Sequence, residues 1–154
     1  VSARLRLKLD DQLCFALYAA TNAVTRAYRP LLDEVGLTYP QYLVMMVLWQ
    51  GGSRTSGYIA ERLHLAPNAL TPMLDRLEQG GLLTRRRDDQ DRRLVHIALT
   101  PSGVQLESAA ARAQRAVVCQ TELEADALIA LRDELKALVL RMEPASDPAT
   151  RDGR

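Results

Sequence analysis

Aromatic residues are scarce in this chain. They fill 5% of its 154 positions, with one Phe and one Trp. Leu and Ala dominate instead, a bias that favours helix over sheet. Cysteine is scarcer still. Cys14 and Cys119 are the only two. Two cysteines make no disulfide framework, and in a reducing compartment they rest as thiols. Taken alone, each fits a small buried hydrophobe. Apolar runs of membrane-spanning length are missing. Residues 1–8 alternate Arg or Lys with Leu and lack the long apolar stretch of a signal peptide. A cytoplasmic protein is therefore expected. An excess of charge of one sign is also missing. The net charge is +1, so any DNA-binding surface must come from local clustering of Lys and Arg. His64 and His96 stand far apart, with no Cys or carboxylate at ligand spacing. They read as surface or strand residues, and no metal, cofactor or catalytic group is expected.

What is present is a 47% hydrophobic chain, long enough for one domain with a substantial core. Leu13, Leu17, Ala20, Val24, Ala27 and Leu31 recur at helical spacing, which predicts a long helix over 10–33. Asp10 or Asp11 would cap it, and Gly36 lies past its end. Pro40 opens a second helix, 41–50, apolar nearly all round and so expected to be buried. A short helix over 56–64 and a turn at 65–68 follow. Pro67 suits a first helical position, where its missing N–H is not needed. A helix over 68–79 ends at Gly80-Gly81. Segments 82–87 and 94–99 read as strands, the second alternating Val95, Ile97 and Leu99 with His96 and Ala98. Thr100-Pro101 starts a helix over 102–119. A last one, 123–142, carries a stripe of Leu128, Leu131, Leu135, Leu138 and Met142. The tail, 144–154, lacks periodicity and is expected to be disordered.

Two short helices with a tight turn, followed by a two-stranded hairpin, make a winged helix-turn-helix. The fold expected is mainly α with a small β wing. A single domain over 1–143 would place its DNA-binding part at about 54–100 and dimerisation helices at about 10–34 and 102–142. On the 68–79 helix, Leu70, Met73, Leu74 and Leu77 share one side, which is core. The other arc holds Asn68, Pro72, Asp75 and Gln79, flanked by Thr71 and Arg76. Short polar groups near a helix N-terminus suit major-groove readout, though a solvated face reads the same way. Residues 85–93 shift the balance. Arg85, Arg86, Arg87, Arg92 and Arg93 outnumber Asp88, Asp89 and Asp91 there. Arg at a hairpin tip can enter the narrow minor groove, and Asp91 can hold Arg93 by a charge-assisted hydrogen bond.

The run LTPMLDRLEQGGLLTRRRDDQDRRLVHIALTPSG, residues 70–103, resembles the recognition helix, wing and following helix start of MarR-type regulators. The D-x-R at Asp91 to Arg93 matches that family's wing motif. The resemblance extends to about Met142. It implies a triangular homodimer on a pseudo-palindromic DNA operator, with DNA contacts from Asn68, Thr71, Pro72, Asp75, Arg76, Arg86, Asp91 and Arg93.

The N-terminal stretch DDQLCFALYAA, with AYRPLLDEVGLTYPQYLVMMVLW over 27–49, resembles the OhrR branch, the organic-hydroperoxide-sensing repressors. That resemblance implies that Cys14 is the peroxide-reactive residue, hydrogen-bonded by Tyr28 and Tyr39. It further implies the two-cysteine subclass, in which sulfenylated Cys14 condenses with Cys119 of the other subunit. The chain departs from the branch at Ala66-Pro67-Asn68, where an Asp-Ser-Gly-like segment is usual, and at Asp75, where Lys is common.

The residues themselves say part of this. A helix N-terminus stabilises a thiolate at Cys14, while Asp10 and Asp11 oppose it, so the sign of the net effect stays open. Tyr18 lies one turn on. Tyr28 is 14 residues on, about 21 Å along a straight helix, and can meet Cys14 only from a partner chain crossing in antiparallel fashion. Phe15, Leu17 and the apolar second helix would make the pocket greasy, or simply form core.

Three functions fit. One is a repressor released from DNA by organic hydroperoxide. A second is a regulator of the same fold gated by a phenolic or lipophilic small molecule. The third is a thiol peroxidase, against which the wing and recognition helix weigh.

Overall fold

The computed structural model describes residues 7–143. The tail expected to be disordered lies outside them. The chain divides after Val117 into two compact units. The first holds most of the helices and the sheet. The second holds the end of one helix and the last helix.

A single 3-10 turn, Leu9–Asp11, precedes α1, Leu13–Asp33. The expected Asp10 or Asp11 cap is therefore corrected. Gln12 is the N-cap, with no side-chain cap hydrogen bond, because the acidic pair is spent in the preceding turn. Gly36 closes the helix end with φ +72°, a conformation that favours glycine. Helix α2, Tyr39–Gly51, begins with a capping box that periodicity does not reveal. The Gln41 N–H donates to Thr38 Oγ1 at 3.4 Å, and the Thr38 N–H donates to Gln41 Oε1 at 3.0 Å. Its Tyr42, Val44, Met45 and Leu48 are buried, as an all-apolar helix requires.

Strand β1, Arg54–Thr55, leads into α3, Ser56–Arg62, and then α4, Pro67–Gln79. The wing is β2, Leu83–Arg87, and β3, Val95–Leu99. Three antiparallel strands lie in the order β1-β3-β2, with Arg54 opposite Ile97 and Arg85 opposite Ile97 on the other side. A two-residue strand is too short for any periodicity, so β1 was invisible to sequence.

The expected 102–119 helix is two helices, α5, Pro101–Gln105, and α6, Glu107–Gln120. The two meet at Leu106, and the start of α5 is fixed by its neighbours. Thr100 Oγ1 accepts from the Gly103 N–H at 3.1 Å, and the Gly103 carbonyl accepts from Trp49 Nε1 at 2.8 Å. A Cβ at Gly103 would meet the Leu82 carbonyl oxygen at 2.1 Å, so only glycine fits. Helix α7, Ala125–Met142, has no buried residue. The core gathers Leu32 from α1, Val44, Met45 and Leu48 from α2, Ile59 from α3, Leu70 and Leu74 from α4, and Leu83 and Ile97 from the sheet.

Candidate nucleic-acid interface and sensor site

Helix α4 starts at Pro67 and turns Leu70, Leu74 and Leu77 into the core. That leaves Asn68, Thr71, Pro72, Arg76 and Gln79 exposed and Asp75 half-buried. The helix is tied to the wing by Arg85 of β2. Its guanidinium contacts Asp75 Oδ1 at 2.7 Å and also bonds Glu78. Asp75, singled out as a groove-facing residue, is thus also one end of a helix–wing tie. Arg85 appeared in sequence only as one member of a cluster, since its two partners lie seven and ten residues back in another element.

The wing loop is built on Asp88. Its Oδ1 accepts the N–H groups of Gln90 and Asp91, each at 2.9 Å, and its Oδ2 lies 2.8 Å from His96 Nε2. The backbone N–H of Asp91, then His96, hold the Asp88 carboxyl down at about 2. Asp91 in turn grips Arg93. Arg93 Nε and Nη2 donate to the two carboxylate oxygens at 3.0 Å each, and its backbone N–H donates at 3.1 Å. That fork holds the Asp91 carboxyl below its ordinary range. Arg86 makes an exposed pair with Asp89 at 3.3 Å. The loop so ordered presents an aimed guanidinium beside an exposed helix.

Cys14 is the second residue of α1 and is exposed. Cys119, near the end of α6, is exposed too, and both are free thiols. Phe15 is half-buried and Tyr18 is exposed. Tyr28 and Tyr39 come together from α1 and α2, with ring centroids 5.2 Å apart. Sequence missed the third member, Tyr42, 5.3 Å from Tyr28 and 6.0 Å from Tyr39. Burial pushes the pKa of all three phenols up, which disfavours their ionisation. They are neutral donors. Cys14 sits far from them along α1, which runs unbroken from Leu13 to Asp33. Among the described residues no three His, Cys, Asp or Glu side chains gather as metal ligands would, and no helix is long and apolar enough to cross a membrane.

A two-helix reading unit followed by a two-stranded wing defines the winged helix-turn-helix class of DNA-binding proteins. The chain belongs to the MarR family, whose profile matches residues 37–95. It is 47% identical over 104 residues to the organic hydroperoxide resistance transcriptional regulator of Bacillus subtilis, spanning 68% of this chain and 71% of that one. Among solved structures, reduced AbfR bound to DNA superimposes with a TM-score of 0.77 at 36% identity, covering 87% of this chain and 94% of that one. The disulfide form of AbfR, a Staphylococcus epidermidis protein, superimposes with a TM-score of 0.64 at 35% identity, covering 85% and 92%.

Proposed function

We propose that this protein is a homodimeric transcriptional repressor that leaves its operator when an organic hydroperoxide oxidises Cys14. The observation that carries the reading is the exposed Cys14 thiol at the start of α1, in a chain whose Tyr28 and Tyr39 converge at the far end of the same helix. The kinship with an organic hydroperoxide resistance regulator supports the oxidant class. AbfR, described reduced on DNA and in a disulfide form, supports a thiol that gates DNA binding.

The dimer supplies what one chain lacks. Leu9, Leu13 and Val24 are exposed at or near the start of the chain, and Ile129, Leu131, Leu135 and Val139 on α7. These are surfaces for a second copy. An antiparallel partner brings its Cys14 to Tyr28 and Tyr39, whose phenol protons then face the sulfur and the peroxide oxygens. The thiolate attacks the terminal peroxide oxygen. The O–O bond breaks, the alcohol leaves with a proton, and sulfur is left as a sulfenic acid. The Cys119 thiol of the partner then attacks that sulfur. The S–O bond breaks, water leaves, and a disulfide forms. Closing it requires Cα atoms within about 7 Å, so the helices carrying Cys14 and Cys119 must meet. The oxidised arrangement must bind operator more weakly than the reduced one, since only differential affinity couples the sites.

In this reading Asn68, Thr71, Pro72, Asp75 and Arg76 face the major groove, and Arg86, Asp91 and Arg93 serve the wing. Residues 1–143 act as one regulatory unit in the cytoplasm, and the chain is not an enzyme. A gel shift with the DNA upstream of its own gene tests the reading. Cumene hydroperoxide should release reduced wild-type protein, and dithiothreitol should restore binding. Release by a non-oxidising phenol with Cys14→Ser intact in its response would point instead to ligand gating. Sustained peroxide consumption with a thiol reductant would point to a peroxidase.

A further inference from the structure

Five Tyr, one Phe and one Trp are the aromatic residues of this chain. Three of those tyrosines and the tryptophan lie in one continuous group. Measured between ring centroids, Tyr39 is 5.2 Å from Tyr28, and Tyr28 is 5.3 Å from Tyr42. Tyr42 is also 6.0 Å from Tyr39 and 6.4 Å from Trp49, so it is the ring that joins the other three. Tyr28 and Tyr42, in the middle, are buried. The two ends open onto different clefts. Tyr39 lines one of about 450 Å³, beside Arg26 and Arg29. Trp49 lines another of about 410 Å³, beside Tyr42 and Met46. No residue is common to the two linings. The indole is held in place, since its Nε1–H donates to the Gly103 carbonyl at 2.8 Å. Leu or Phe would fill this volume as well. What Tyr and Trp add is a ring that gives up a single electron.

Rings this close exchange an electron faster than a solute can diffuse to them. We propose that Tyr39, Tyr28, Tyr42 and Trp49 form a conduit that carries a one-electron oxidising equivalent from the Tyr39 cleft to the Trp49 cleft, where a soluble reductant such as a thiol or ascorbate removes it. The proposal rests on the hydroperoxide reading above for the source of the radical. Ferrous iron gives one electron to the hydroperoxide. The O–O bond breaks, leaving hydroxide and an alkoxyl radical. That radical takes the hydrogen atom of a phenol, which makes an alcohol and a tyrosyl radical. The tyrosyl radical regains an electron, passed through Tyr42 from Trp49, and a proton from water. The indole has then lost one electron and, to water, one proton. The reductant at the second cleft returns both. The benefit lies in keeping two chemistries apart. Cys14 signals by a two-electron step, and a one-electron attack beside it would damage the sensor without signalling.

Pulse radiolysis tests the conduit in full-length reduced protein carrying Tyr18→Phe and Tyr58→Phe, two exposed positions outside the group. The azide radical oxidises the indole of Trp49, and transient absorption follows tryptophanyl and tyrosyl radicals by their separate bands. The tryptophanyl signal should decay as a first-order process, independent of protein concentration, while a tyrosyl signal grows at the same rate. This runs the conduit backwards, which suffices because the path is the same in both directions. Tyr42→Phe keeps the ring but not the oxidisable group, and should lose most of that growth. Tyr28→Phe with Tyr39→Phe should keep it, on Tyr42. Melting curves show whether each variant folds. Absence of tyrosyl growth in the parent protein, or undiminished growth in folded Tyr42→Phe, overturns the conduit. Ferrous iron with cumene hydroperoxide tests the direction of use. Peptide mass spectrometry should find Trp49 oxidised in wild type, and the oxidation should move to Tyr28 and Tyr39 in Tyr42→Phe. An unchanged map overturns the direction proposed. With iron chelated, ring oxidation should be lost while cumene hydroperoxide still releases DNA. DNA that stays bound there overturns the sensor reading and the radical source with it, and the radiolysis result depends on neither.

Discussion

The DNA-facing part of this molecule is finished within one chain, whereas the two free thiols are not. Between Thr55 and Gly103 several key polar groups are bound by neighbours. Arg85 ties α4 to β2, Asp88 orders the wing loop, Asp91 aims Arg93, and Trp49 donates to the Gly103 carbonyl. Around Cys14 the pattern reverses. The thiol is exposed, Leu13 and Tyr18 beside it are 62% and 65% exposed, and the tyrosine group lies at the other end of α1. Helix α7, taken by itself, buries nothing and presents Leu131 and Leu140 to solvent. In the proposed repressor the difference would separate two jobs. A reading head has to be rigid before it meets DNA, since flexibility there costs ordering entropy on binding. A switch gains from being assembled across subunits, because a change in subunit arrangement then reaches both reading heads at once.

The most damaging change should be Cys14→Ser. It should abolish peroxide-triggered release altogether while leaving reduced-state DNA binding intact. Cys119→Ser should still accept one sulfenic acid per Cys14 but lose the covalent dimer on a non-reducing gel. Wild-type protein that releases DNA yet stays monomeric on that gel would exclude the intersubunit disulfide and leave a one-cysteine switch.

Charging the last helix attacks the same side of the comparison. Leu131→Asp with Leu135→Asp should weaken self-association at least about 100-fold, because burying a carboxylate in an apolar interface costs several kcal/mol. Sedimentation equilibrium measures it. A variant as dimeric as wild type would remove α7 from the interface.

On the rigid side, Gly103→Ala should destabilise the fold by about 1–3 kcal/mol, the cost of forcing a methyl group into a filled site. The clash is with backbone, the Leu82 carbonyl, and not with a side chain that could swing away. Urea denaturation reads the loss. A stability equal to wild type would mean that the wing root yields more easily than its contacts indicate.

Asp91→Ala should weaken duplex binding by only a few-fold, since it frees Arg93 without removing it. A loss matching that of Arg93→Ala would mean that aim, and not charge, is what Arg93 contributes.

The smallest effect concerns acid. The Asp88 carboxyl sits at about 2 in the folded chain against an ordinary 3.8. A depressed carboxyl adds stability that is fully present above the ordinary value and is lost as pH falls through the folded one. The gap in thermal midpoint between wild type and Asp88→Asn should therefore be constant above pH 3.8 and shrink as pH falls toward 2. A gap that does not change across that window would show that Asp88 contributes shape alone.

Much of this protein was legible in its sequence wherever the determining interaction is local or periodic. Leucines at helical spacing announced α1, α4 and α7. Alternation announced β3, Pro67 announced the start of α4, and the two-residue spacing from Asp91 to Arg93 suffices for a grip within one turn. The resemblance carried by residues 70–103 pointed to the family, because those residues build the reading head in linear order. Other features waited for the tertiary structure. The two-residue β1 exists only because β3 offers it an edge. Arg85 could have met any of several acids, and the packing of α4 on β2 selected Asp75 and Glu78. Tyr42 joins Tyr28 and Tyr39 because α1 and α2 pack together. The separate clefts at Tyr39 and at Trp49 have no sequence signature at all. Periodicity reports which face of an element meets the core. Which side chains of different elements then face one another depends on how those elements are rotated and spaced, and only the packed chain decides that.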